Sequence, residues 1–170
     1  MTAAAILLEK AKLDLRVEAL AEINATEKFF DRTTRCLAEG DSAFRATPET
    51  FTVAAHVAHV AQSIDWFREG AFHDLWRMDF ETMIGEANRV RSLGEAQTWL
   101  AIAFSRMREE VSAMSQEQLA ETMADNAILP GRPRYHAIGA LVDHTAHHRG
   151  ALAVYARLLG REPLMPYGED

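Results

Sequence analysis

The chain is predicted to be all-α: an antiparallel four-helix bundle with an additional N-terminal helical segment, forming one domain over residues 1–170. Three observations predict it. Apolar residues recur with helical period along most of the chain, and strand-like alternation is nearly absent. Start and stop signals bound four amphipathic stretches of similar length.

The first stretch sets Ile6, Leu13, Leu20 and Ile23 among Glu, Lys and Arg, then continues through Phe29, Phe30, Thr33 and Leu37. Gly40 is its expected stop. Sequence leaves open whether this stretch is one helix or two, and a break or kink at Asn24 to Thr26 is the favoured reading. The second helix is expected from about Pro48 to about Ala71, because Thr47-Pro48-Glu49 offers a cap, a proline at the first helical position and an early acid. Residues 72–91, with Gly85 and a basic patch at Arg89 and Arg91, read as a long connection with room for one short helix. Such a length is unusual unless the segment covers a site or packs against a partner.

Ser92 and Glu95 have the spacing of a capping box and open the third helix. Trp99, Ile102, Ala103, Met107 and Val111 form its apolar face, and it is expected to end near Ser115, where Ser115 and Gln118 cap a short extra turn. NAILPGRPR, residues 126–134, holds two prolines and a glycine and reads as a loop. The fourth helix runs from about Tyr135 to Leu159 and is stopped by Gly160 and Pro163.

Bulk composition excludes several classes. A net charge of −7 opposes non-specific nucleic-acid binding, which depends on Lys and Arg at phosphates. No run of 18 apolar residues is present to span a membrane, and MTAAAILLEKAKLDLR reaches charges too soon for a secretory leader. The lone Cys36 cannot form an intrachain disulfide, so it reads as a small packed thiol in a reducing compartment. A cytoplasmic location is expected.

Chemistry concentrates in the histidines. DHTAHHRG, residues 143–150, carries three of the seven. His144 and His148 are four apart, hence about 40° apart on one helix face, the spacing at which two imidazoles can grip one cation. His147 points about 100° away from His148 and reads as a bystander. TVAAHVAHVAQSIDWF, residues 52–67, places a second inward row on the second helix: His56, His59, Ser63 and Trp66. Bundle cores build metal sites from such facing side chains. Familiar alternatives fail: there is no Glu-x-x-His of the carboxylate-rich di-iron bundles, no His-Glu-x-x-His, and no glycine-rich phosphate loop. His73 and His136 sit near helix ends and read as solvated.

His59 seven residues before Trp66, His144-x-x-x-His148-Arg149-Gly150 in the last helix, and the following Leu159, Gly160 and Pro163 together resemble the DinB-like superfamily of four-helix-bundle metalloproteins. The resemblance implies His59, His144 and His148 as ligands of a divalent metal, zinc or nickel, and a homodimer. His56 and His147 match no ligand position and are expected behind the ligands or facing outward. Characterised members of that superfamily include thiol-dependent enzymes, such as bacillithiol transferases and a mycothiol-dependent maleylpyruvate isomerase. Three neutral imidazoles leave a cation its charge and an open position, at which a low-molecular-weight thiol or water becomes nucleophilic. The expectation is a metal-dependent transferase or hydrolase, with a non-catalytic metal- or ligand-binding bundle as the alternative. His56, Asp65 and Tyr155 are candidate proton handlers or substrate contacts. Arg149 is a candidate contact for a substrate carboxylate, with anchoring of the helix or an interface the commoner role, and residues 72–91 are equally a candidate mouth or a solvated loop.

Overall fold

The computed structural model describes residues 14–168. Ile6 and Leu13 of the first apolar stripe lie outside them, as does the N-terminal segment up to residue 13. Among the described residues there is no strand, only an isolated bridge between Thr122 and Pro133.

Helix α1 spans Leu15–Thr34, capped by Asp14, whose carboxylate accepts from the N–H groups of Arg16 and Val17. The break expected at Asn24 to Thr26 does not occur. The Thr26 hydroxyl donates to the Glu22 carbonyl at 2.7 Å, so this polar residue is satisfied inside the helix. Helix α2 spans Val53–His73 and begins later than Pro48. Residues 47–50 close a turn instead, and Thr52 is the cap, accepting from Ala55 N–H at 3.1 Å. The N–H groups of Val53 and Ala54 donate to the carbonyls of Phe44 and Ser42. The helix therefore starts where a docked loop satisfies its orphan donors.

Helix α3 is Phe80–Ala87, the short helix allowed for in the long connection. Helix α4, Leu93–Ala113, begins at Ser92, whose hydroxyl accepts from Glu95 N–H. The two preceding donors, Leu93 and Gly94, are taken by the Ser42 hydroxyl and the Glu39 carboxylate. Helix α5, Gln116–Ala120, carries the Ser115–Gln118 capping box, and α6 spans His136–Leu158. On α4, Leu100 and Phe104 join Ala103, Met107 and Val111 in the core, while Ile102 faces solvent at 43% exposure.

Each long helix packs against two others: α1 and α2 each contact both α4 and α6. The expected antiparallel order holds for α2 with α6, where His56 meets His148 and Ala71 meets Arg134. It also holds for α1 with α4, where Glu27 pairs with Arg108 and Leu15 N–H reaches Gln116 just beyond α4. The other two contacts are parallel. Asp65 and Arg68 of α2 bond Trp99 and Glu110 of α4, and α1 runs alongside α6, with Ala19 near Ile138 and Phe29 under Arg149.

The connection between α2 and α4 makes this possible. A helix of 21 residues is about 30 Å long, and a parallel successor requires the chain to return that distance. Residues 74–92 do so along α2. Trp66 Nε1 donates to the Arg77 carbonyl at 2.7 Å, and Gln62 donates to Glu86 at 3.0 Å. The Trp76 ring lies so close over Gly70 that a Cβ there would overlap it. Sandwiched between α4, α6 and this strap, α2 buries 15 of its 21 residues, which explains its apolar composition on nearly all sides.

Arg134 fastens the far end of α2. Its guanidinium donates to the Ala71 carbonyl, an orphan acceptor of the last turn, and to both carboxylate oxygens of Asp74 at 3.1 and 3.0 Å. Asp74 sits in the left-handed region, at φ 58°, and ends the helix there. Arg134→Ala leaves the Ala71 carbonyl and Asp74 without this donor and is expected to cost roughly 2–3 kcal/mol of unfolding free energy. Urea unfolding checks this. A loss below about 0.5 kcal/mol would mean the clip contributes no more than a surface ion pair. Among the described residues no helix is long and apolar enough to cross a membrane.

Candidate metal centre

Antiparallel α2 and α6 bring two histidine rows face to face. His59 lies opposite His144 with ring centroids 5.3 Å apart, and opposite His148 at 4.7 Å. One turn along, His56 meets His148 at 4.9 Å. One nitrogen from each of His59, His144 and His148 falls within a 4.8 Å group. His144 Nε2 and His148 Nε2 are 3.2 Å apart. Two imidazoles on a four-coordinate ion with bonds of about 2.0–2.1 Å place their nitrogens roughly 3.3 Å apart, so this pair is already set for one cation.

The electrostatics agree. Burial, then the neighbouring imidazoles, hold His148 down to a pKa of about 2 and His144 to about 4. Burial also lowers His59. At neutral pH all three are uncharged and carry free lone pairs. His59 Nδ1 is buried and has no hydrogen-bond partner. An unpaired buried polar atom costs about 1–3 kcal/mol, a cost a bound cation at this cluster would offset.

His56 stands behind the cluster. Its Nε2 is 2.7 Å from His148 Nδ1. Were His148 Nε2 to hold a cation, its Nδ1 would carry the proton and donate to His56 Nε2. His56 would then take the place of the carboxylate or carbonyl that commonly orients a ligating imidazole. It is itself 5% exposed and held down to a pKa of about 4, first by burial. Phe51 is a contributor that the sequence did not reveal: it stacks on His59 at 5.0 Å and 24°, and its carbonyl accepts the Tyr155 hydroxyl at 3.1 Å. Tyr155 in turn lies edge-on to His56 at 5.5 Å. Nothing in the sequence marked Phe51, because its segment reads as part of the helix.

Other candidates lie elsewhere. Asp65 is on the α4 side of α2, where Oδ2 accepts from Trp99 Nε1 at 3.0 Å and Arg106 approaches to 3.6 Å. Arg149 lies over the Phe29 ring at 5.8 Å and links α6 to α1. His73 pairs with Glu110, and His136 with the Tyr135 hydroxyl. His147 is exposed, with its ring 4.9 Å from that of His148.

Two cavities reach the histidines. One of about 660 Å³ touches His56, His147 and His148, and one of about 330 Å³ touches His59 and His144. Ile84 of α3 lines both, so the long connection does form part of the mouth and partitions the approach.

No curated protein matches the chain. A crystal structure of a DinB-like protein from Bacillus cereus ATCC 10987 is similar in fold, with a TM-score of 0.63 over 87% of this chain and 91% of that one, at 17% sequence identity. The description of the family model that matches residues 18–170 is the DinB family, and with the bundle and its three-histidine cluster in place, the chain belongs to it.

Proposed function

We propose that this protein is a metal-dependent enzyme that activates a small thiol for transfer to an electrophilic carbon, using zinc or nickel at His59, His144 and His148. The convergence of three neutral imidazoles beside an open cavity carries this reading. Imidazole suits both metals. When bound, a divalent cation there supplies the Lewis acidity that makes a thiol or a water nucleophilic near neutral pH.

The chain's own residues do the rest. His56 Nε2 holds the proton of His148 Nδ1 and fixes that ring. Phe51 stacks on His59 and Tyr155 lies against His56, and both line the cavity beside the cluster. The sulfur bonds to carbon, the leaving group departs with its electron pair, and the thiol proton passes to solvent. Among the described residues no carboxylate hydrogen-bonds a cluster imidazole. A thiol with a pKa near 8.5 needs less help from a base than water does, which favours transfer over hydrolysis. The single free Cys36 fits a reducing cytoplasm, where such thiols persist. Exposed Val154 and Leu158, one turn apart on α6, offer a homodimer an apolar strip to bury.

Untagged protein loaded with zinc or nickel is expected to conjugate at least one thiol from a panel with a haloaromatic or epoxide electrophile, at a rate proportional to metal content. Fully loaded protein that turns over no pair but hydrolyses activated esters would shift the reading to water. Loaded protein inert to both would leave a metal-binding bundle without catalysis.

A further inference from the structure

We propose that the 660 Å³ cavity beside His148 receives a small carboxylate-bearing molecule, held by Arg45 and Arg91. This deepens the function proposed above and rests on it for the chemistry, though not for the binding. The volume lies within the range of about 300–1,000 Å³ found for small-molecule sites.

The charge distribution is the first argument. In a chain of net charge −7, this cavity carries two guanidiniums against one carboxylate, Glu49. Five other arginines are committed to acids, Arg68 to Glu110, Arg77 to Glu86, Arg108 to Glu27, Arg134 to Asp74 and Arg161 to Asp41, and of those that are not, Arg45 and Arg91 are the two that line this cavity. Arg91 has no such partner among the described residues, and Arg45 donates only to the Pro48 carbonyl at 3.1 Å. Both guanidinium forks are available to a carboxylate, which they match in geometry.

Position is the second argument. Arg45 comes from the loop before α2, Arg91 from the end of the strap before α4, and exposed His147 from α6. Three separate segments thus present donors to one space. Ile84, Ala151 and Tyr155 supply apolar wall for the carbon skeleton. The second cavity offers no alternative for an anion: besides His59, His144 and Ser63 it is lined by Trp66, Phe80, Met83 and Ile84. A charged partner therefore enters on the His148 side, and an apolar one fits on the His59 and His144 side.

NMR titration of the ¹⁵N-labelled full chain, metal-free and zinc-loaded, with succinate and with neutral succinamide tests the proposal. Succinate is expected to shift resonances of residues 45–51, 88–91 and 147–151, and to bind about tenfold more tightly than succinamide. Arg91→Gln is expected to weaken succinate about fivefold, and Arg45→Gln with Arg91→Gln to abolish the preference, with zinc stoichiometry and circular dichroism unchanged. Equal affinity for the two probes, a preference that survives the double substitution, or shifts confined to other residues would overturn it. Succinate carries no thiol. Binding as expected without any thiol turnover would leave this site standing and remove the proposed reaction instead.

Discussion

His148→Ala is expected to abolish stoichiometric zinc or nickel binding and, with it, the thermal stabilisation that metal confers. At a free metal concentration about 1,000 times Kd, a site present only in the folded state adds roughly 4 kcal/mol. For a chain of this size each kcal/mol moves Tm by about 2–4 °C, so loading is expected to raise the wild-type Tm by about 8–16 °C. His148 is the most exacting position to lose, because its Nε2 faces His144 while its Nδ1 engages His56. Calorimetric scans of metal-free and loaded protein measure the increment, and comparing increments cancels any general effect of the substitution on folding. The same loss is expected for His59→Ala and His144→Ala.

His56→Ala gives a graded contrast. All three ligands remain, so metal is retained, but the orienting partner of His148 is gone, and affinity is expected to fall about 10–100-fold. A His148→Ala protein that keeps metal with wild-type affinity would show that the cluster is only a buried polar patch. So would wild-type protein that takes up neither ion.

Much of this was legible in sequence because it is local. Helix type, the Ser115–Gln118 cap and the i, i+4 pair His144 and His148 follow from spacing alone, and two of the three clustered histidines share one helix. What escaped depends on how elements meet. The parallel pairing of α2 with α4 is decided by residues 74–92 returning along α2, and that needs the contacts of Trp66 with Arg77 and Trp76 with Gly70. The late start of α2 is decided by Val53 and Ala54 finding acceptors in the preceding loop, which outweighs a favourable proline at Pro48. His56 and His59 look equivalent on a helical projection. The family resemblance alone tells them apart in sequence, and the position of α6 supplies the physical reason, placing His59 against both partners and His56 behind one.

Acid is expected to unfold the metal-free protein between pH 6.5 and 4. His56 and His144 are held to about 4 and His148 to about 2, against an ordinary 6.5, first because they are buried. In the unfolded chain they bind protons as pH drops through 6.5, while the native protein does not until near 4. Stability from these groups is therefore complete above pH 6.5 and is lost as pH falls toward 4. Each contributes at most about 1.4 kcal/mol per pH unit in that window, so three together approach 4 kcal/mol per unit. Over two or three units that becomes comparable with the roughly 5–15 kcal/mol that holds a domain folded.

The two arginine-paired aspartates act in a lower range. Asp41 and Asp74 are lowered from 3.8, chiefly by hydrogen bonds from Arg161 and Arg134, so their stabilisation is lost only as pH falls below that value. A loss already evident at pH 5 belongs to the histidines. Urea midpoints from pH 7.5 to 4.5 measure it, and His144→Leu with His148→Leu is expected to flatten the slope. Equal midpoints at pH 7 and pH 5 in metal-free wild type would refute the assignment. In loaded protein the cation competes with protons for the same nitrogens, so the fall is displaced to lower pH. Burial that keeps these imidazoles neutral for a cation at pH 7 also leaves the native state no means of taking up a proton. Metal release and unfolding are therefore expected to share one midpoint in acid, and a loaded protein that loses its metal well before it unfolds would separate the two roles of the cluster.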